Sequence, residues 1–271
     1  MRMLSPAKHK PDLSWLTERP YAHRGLHDAD AGIPENSLAS VHAAIDAGYG
    51  IELDIQPAAD QTPIVFHDEK LFRMTGQRGL IGALMPHDIT PLTLKGSQEK
   101  IPTLAETLDI VAGRAPLLVE IKHHGESDGQ FEMAVLEVIQ NYRGPLALMS
   151  FDPSALMHLK AKGPWVPRGL VSEAYWLKPF WPTVSAGERF RRRLMLHAIR
   201  TAPHFIAYRW RDLRNPFLRI AMLLARKPLL TWTVRKPDQA ATAFERRADQ
   251  IIFEDYRPAT PGTEVTADAS A

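Results

Sequence analysis

Four short strings in the first half of this chain carry side chains that can do chemistry together. They are His23-Arg24-Gly25, Glu52-Leu53-Asp54, His67-Asp68 and Glu120-Ile121-Lys122. Between them they offer the carboxylates of Glu52, Asp54 and Glu120, two histidines, and the cations Arg24 and Lys122. Carboxylate oxygens are the preferred ligands of hard divalent cations, Mg²⁺ or Ca²⁺. An imidazole with an unperturbed pKa near ~6.5 gives or takes a proton around neutrality, so His23 and His67 are candidate acid and base. A guanidinium forks onto two phosphate oxygens, which makes Arg24 a candidate phosphate contact. The inventory suits a metal-dependent attack on a phosphate ester.

Spacing supports that reading. Glu52 and Asp54 are two residues apart, so on a strand they share a face, while Ile51, Leu53 and Ile55 claim the other for packing. Two carboxylates facing a barrel interior repel unless a cation lies between them; the competing reading is a solvated edge strand. Glu120 follows Leu117-Leu118-Val119, which sets a charge at the mouth of an apolar run. Lys122 shares its face, so a purely structural Glu–Lys pair is the rival there. Asp68 either orients His67 or caps the next turn, and Gly25 permits a sharp turn after Arg24. His27, His123 and His124 fall in polar loops and are expected to be exposed. His87, His158, His197 and His204 lack a partner pattern.

These strings need elements to hold them. Nine short apolar runs read as strands: 19–23, 48–55, 63–67, 117–121, 146–150, 168–171, 205–208, 229–234 and 250–253. Helical patterns intervene. Leu38, Val41 and Ile45 recur at helical spacing behind Asn36 as cap, and Thr103 with Glu106 forms a capping box ahead of another helix. The segment from His67 to Leu117 reads as a helical crossover. Nine strands exceed an eight-strand barrel by one. The surplus lies at 48–55 and 63–67, separated by too few residues for a helix, so a hairpin or an irregular extra strand is expected there. The chain of 271 residues is long enough for one such domain, and it is 45% hydrophobic. The expected layout is an extension over 1–18, the barrel over 19–257, and a disordered Thr/Ala/Pro-rich tail over 258–271.

Composition excludes other classes. With no cysteine there are no disulfides and no thiolate metal sites. A formal charge of +2 gives no case for nucleic acid as a partner. The first twenty residues hold no apolar core of signal-peptide length, and no stretch approaches the ~20 apolar residues of a membrane span. A cytoplasmic location is the expectation, with peripheral membrane contact as a variant of it.

Taken with Pro34-Glu35-Asn36-Ser37, Glu52-Leu53-Asp54-Ile55, Ile101-Pro102-Thr103-Leu104 and Thr231-Trp232-Thr233-Val234, the four strings make the chain resemble the glycerophosphodiester phosphodiesterases. The motifs match closely over 21–124 and thin out afterwards. The resemblance implies an α/β fold, a single-domain TIM-type (β/α)8 barrel with its site at the C-terminal ends of the strands. It implies a divalent metal ion, Mg or Ca, on Glu52, Asp54 and Glu120, and His23 and His67 as the acid/base pair. It further implies phosphate contacts from Arg24 and Lys122, and Trp232 as a wall of the glycerol pocket. The products implied are glycerol 3-phosphate and an alcohol. The nucleophile, water or a neighbouring glycerol hydroxyl, and the acid and base assignments stay open. Ser37 stands where the family usually has Thr. The last strand ends Glu254-Asp255, where the family usually has a small residue and an Asp.

A second feature lies outside these motifs. Residues 186–227 contain eleven Lys or Arg and two acids, Glu188 and Asp212, a local balance of 11 − 2 = +9, with Trp176, Phe180, Trp181, Phe190, Trp210 and Phe217 nearby. Such a segment suits an anionic membrane and a lysophospholipase D-type activity on lysophospholipids; the plain alternative is a basic helix face with its aromatics in the core. An inactive barrel kept as a binding module is the remaining alternative, but all five metal and acid/base positions keep competent chemistry.

Overall fold

The computed structural model describes residues 11–122, 127–176 and 184–260. Nine strands form one sheet: β1 (Tyr21–His23), β2 (Gly50–Pro57), β3 (Pro63–Val65), β4 (Leu117–Ile121), β5 (Leu146–Ser150), β6 (Arg168–Ser172), β7 (Phe205–Arg209), β8 (Leu229–Val234) and β9 (Gln250–Phe253). All but β3 pair in parallel, and β1 closes the ring by pairing with both β2 and β9. The result is an eight-stranded parallel barrel with helices outside, the TIM architecture. The surplus strand is β3, which turns back on β2 as an antiparallel hairpin, Ile55 opposite Val65.

Strand alternation explains both layers of the core. On β4, Leu117, Val119 and Ile121 point outward into the helix-covered core, while Leu118 points inward. The inward cluster joins Tyr21, Leu118, Ala147, Met149, Val171, Phe205, Ala207, Leu230 and Ile252. Leu16, from the 3-10 turn Ser14–Thr17, plugs into that cluster and is fully buried. Burying a leucine contributes about 1.5–3 kcal/mol, so residues ahead of the first strand supply part of the barrel floor. Moving up the same face of β4, Leu118 is followed by Glu120. The inward face therefore changes from apolar at the floor to charged at the mouth.

Between β3 and β4 the chain makes short helical turns, Phe72–Thr75 and Pro86–Ile89, before the helix Leu104–Val111. These turns do not form one long crossover helix. They carry a satellite core of Ile64, Phe66, Leu71, Ile81, Ile89, Leu94 and Ile101. Thr103 caps the Leu104–Val111 helix with Glu106 in a reciprocal capping box, as the spacing predicts. The first helix, Leu38–Asp46, starts differently from expectation: Ser37 is its cap, paired with Ser40, and Asn36 is released for another task. Of the C-terminal tail, Pro258 is tied down, its carbonyl accepting from Tyr49 Oη at 2.7 Å. The expectation of disorder over 261–271, and those placed on His123, His124, Phe180 and Trp181, lie outside the described residues. No described helix is long and apolar enough to cross a membrane.

Candidate active site

Register alone gathers the first candidate ligands. His23 pairs with Glu52 across β1 and β2, and Asp54 pairs with Glu120 across β2 and β4. Carboxylate oxygens of Glu52, Asp54 and Glu120 lie within 4.8 Å of one another, and all three residues are buried. Lys122 Nζ sits 2.6 Å from Glu120 Oε1 and 2.9 Å from Asp54 Oδ1. Burial, then repulsion from Asp54 and Glu120, pushes the Glu52 carboxyl well above the usual carboxylate range. Burial raises Glu120 as well, against the pull of Lys122. For Asp54 burial is outweighed by Lys122, His67 and Arg24, which hold it below that range. Three buried carboxylates thus face two cations, and one of those cations is shared with Glu35. The excess negative charge and the all-oxygen donor set fit a hard divalent cation.

The loop after β1 is shaped to serve this cluster. Arg24 and Asn36 both adopt left-handed backbone, at φ 58° and 54°. Such conformations cost of the order of 1–3 kcal/mol at non-glycine residues and persist where several contacts enforce them. Here the Arg24 amide donates to Glu52 Oε2 at 3.1 Å, and the Arg24 carbonyl accepts from the Asn36 amide at 2.9 Å and from Ser40 Oγ at 3.2 Å. Asn36 reaches across to Asp54, donating Nδ2 to Oδ2 at 3.1 Å while its Oδ1 accepts from the Asp54 amide at 3.2 Å. Gly25 has φ 76°, and a Cβ there would collide with Ser40.

Each histidine is held at Nδ1 by a carboxylate. His23 Nδ1 lies 2.5 Å from Glu254 Oε2, and its Nε2 lies 3.9 Å from Glu52 Oε2. His67 Nδ1 lies 2.8 Å from Asp68 Oδ1. A carboxylate on Nδ1 favours the tautomer with its proton there and leaves Nε2 able to give or take a proton. Burial pushes both imidazoles below the ordinary histidine value, only partly offset by Glu254 at His23 and by Asp54 at His67. Burial tends to raise Glu254, but His23 and Arg235 outweigh it and hold that carboxyl at about 2.

One ionic chain joins the two halves of the site. Asp68 pairs with Arg73, Arg73 NH1 and NH2 donate to Glu35 at 2.9 and 2.7 Å, and Glu35 accepts from Arg24 NH1 at 2.8 Å. Arg24 Nε is 3.3 Å from Asp54 Oδ2. Sequence reading missed Arg73, which sits in the short helical turn Phe72–Thr75 between apolar neighbours, with no motif around it. It also assigned no task to Glu35 or Glu254, although the first stands in a quoted motif and the second was noted as a departure, and it gave Asn36 only the task of a helix cap. Asp68 orients His67, one of its two expected tasks.

Trp232 lies on β8, diametrically across the ring from β4. Its ring meets Phe151 edge-on at 5.4 Å and its Nε1 donates to the Ala207 carbonyl at 3.0 Å. One cleft runs from His67, Glu120 and Lys122 to Phe151, Arg209 and Trp232. Three other histidines stay outside this arrangement. His204 Nδ1 accepts from the Arg168 amide, His197 is buried away from the cleft, and His87 sits beside Asp88. His158 lines the far cleft wall against Ser127. His27 is half-buried, with Nε2 4.0 Å from Glu254, and is not the exposed loop residue expected.

The profile of the Glycerophosphoryl diester phosphodiesterase family matches residues 23–257. A glycerophosphodiester phosphodiesterase of Caldanaerobacter subterraneus is 28% identical over 169 residues, 59% of this chain and 68% of that protein. Human glycerophosphodiester phosphodiesterase 1 is 29% identical over 151 residues, 51% of this chain and 44% of that protein. The match therefore spans under half of the human relative. Among solved structures, a phosphodiesterase of Oleispira antarctica bound to sn-glycerol-3-phosphate superposes with a TM-score of 0.72 at 23% identity, covering 89% of this chain and 94% of that one. A glycerophosphodiester phosphodiesterase of Thermotoga maritima gives 0.64 at 23% identity over 87% and 93%. The structural likeness carries the barrel. The profile, whose match over residues 23–257 takes in the strings from His23 to Glu254, carries the relationship: the chain belongs to the glycerophosphoryl diester phosphodiesterase family.

Proposed function

We propose that this protein hydrolyses glycerophosphodiesters to glycerol 3-phosphate and an alcohol, using a divalent cation, Mg²⁺ or Ca²⁺, held by Glu52, Asp54 and Glu120. The observation that carries the proposal is the buried carboxylate cluster flanked by two histidines, each fixed at Nδ1 by its own carboxylate. A cation bound there would supply charge to a phosphate oxygen and acidify a bound nucleophile. Arg24 and Lys122 would hold the phosphate oxygens and stabilise the charge that builds in the transition state. Of His23 and His67, one would accept the nucleophile's proton at Nε2 and the other would protonate the departing alcohol. Trp232 and Phe151 would form the apolar wall for the glycerol carbons, and the product bound to the Oleispira antarctica relative is of that kind.

A second substrate class, lysophospholipids met at a membrane through residues 186–227, is favoured by the exposed aromatics there. Phe190 is mostly exposed, and Arg193 stacks on an exposed Trp176 at 3.2 Å from the ring centre. Purified protein assayed with glycerophosphocholine, glycerophosphoethanolamine and lysophospholipids should release glycerol 3-phosphate or the lysolipid products. Exhaustive EDTA treatment should abolish turnover, and added Mg²⁺ or Ca²⁺ should restore it. Glu52→Gln should lose metal affinity by calorimetry while keeping the fold. Full activity after chelation would overturn the proposal.

A further inference from the structure

The helix Pro216–Ala225 is apolar nearly all the way round. Leu218 is buried against the barrel, and Ala221 and Met222 pack beside it. The opposite face carries Phe217, Ile220, Leu223 and Leu224, which are 37%, 53%, 71% and 82% exposed. At 100° per residue these four lie on one side, away from the core. A helix with apolar residues on both faces is ordinarily covered on both, and an exposed patch of this kind marks an interaction surface.

The flank of this patch shows what kind of cover it takes. Between this helix and the next, Pro237–Glu245, lies a cleft lined by Leu213, Arg214, Arg219, Glu245, Arg246 and Arg247, among others. Four arginines face one carboxylate there. No Asp or Glu occurs in the chain between Asp212 and Asp238. An apolar face edged by a guanidinium cleft matches an anionic lipid surface, with acyl chains against Leu223 and Leu224 and phosphates at the arginines. A second copy of the chain would bring two arginine-rich edges of the same sign into one two-fold interface, and that repulsion disfavours it.

We propose that the helix Pro216–Ala225 and the Arg214–Arg219–Arg246–Arg247 cleft form a docking surface for anionic membranes. The inference narrows the peripheral contact proposed above to one surface, and it is independent of the hydrolytic chemistry, which uses none of these residues. The full chain should co-sediment with phosphatidylcholine vesicles containing phosphatidylglycerol and not with phosphatidylcholine alone. The double variant Leu223→Ser, Leu224→Ser and the double variant Arg214→Glu, Arg219→Glu should each lower the bound fraction at least tenfold. Both should keep wild-type hydrolysis of soluble glycerophosphocholine, which also shows that they fold. Raising salt should weaken binding of the wild type.

Equal recovery with neutral and anionic vesicles, or none with either, would overturn the proposal. A dimer in light scattering that the leucine variant dissolves would assign the face to a second copy, and also overturn it. If only Arg191→Glu, Arg192→Glu, Arg193→Glu releases the protein, the broader contact through 186–227 stands and this surface does not.

Discussion

At the scale of single residues, the site divides into groups that would touch substrate and groups that aim them. Glu254 belongs to the second kind. It grips His23 at Nδ1 and is itself neutralised by Arg235. Glu254→Gln should therefore lower kcat by roughly 10–100-fold, the scale of losing a carboxylate behind an imidazole, with KM little changed. His23→Ala and His67→Ala should each cost roughly 10²-fold or more, as general acid–base groups do, and metal affinity should survive in both. A substrate with an activated leaving group, such as bis(p-nitrophenyl) phosphate, needs no proton on departure. Whichever histidine variant it rescues has lost the acid. If Glu254→Gln shifts KM alone, or if neither histidine variant is slowed on glycerophosphocholine, these assignments fail.

At the scale of elements, local pattern was a good guide and distance was not. The capping box at Thr103 needs only residues three apart, and it stands as the spacing predicts, with Thr103 Oγ1 accepting from the Glu106 amide at 3.2 Å. Thr103→Ala should cost about 1 kcal/mol, read as a lower urea midpoint at unchanged slope. An unchanged midpoint would mean that helix is held by packing alone. Period-two alternation likewise showed that Glu52 and Asp54 share a face, and the short gap before residue 63 left a hairpin or an irregular extra strand, of which the fold takes the hairpin. What failed was the cap placed at Asn36. Asn36 and Ser37 both cap well, and only the fold shows Asn36 turned to Asp54. Arg73 with Glu35, and Glu254 with His23, meet across 38 and 231 residues. No local rule finds such pairs, because closure of the barrel brings them together.

At the scale of the whole molecule, acid should act through a buried histidine far from the chemistry. His197 lies edge-on to Tyr175 at 6.5 Å between ring centres, and neither ring nitrogen has a hydrogen-bond partner among the described residues. Burial, with a smaller push from Arg192, takes its pKa from the ordinary 6.5 down to about 3. The unfolded chain then binds a proton below pH 6.5 that the folded chain refuses. Stability is therefore full above pH 6.5 and falls as pH drops through the interval from 6.5 toward 3. His204, lowered to about 4 by burial and by Arg168 and Lys227, acts in the same direction. One pKa unit corresponds to about 1.4 kcal/mol, so His197 alone should remove about 2 kcal/mol between pH 6.5 and pH 5. Urea midpoints for the wild type and His197→Leu, both at fixed metal concentration, isolate this histidine from every other group that titrates, because those groups are common to the two proteins. The variant should lose clearly less stability than the wild type between pH 7.5 and pH 5. Equal losses in the two proteins would show that His197 accepts its proton in the folded state. The acid sensitivity of the barrel would then have to come from the carboxylates and histidines of its mouth.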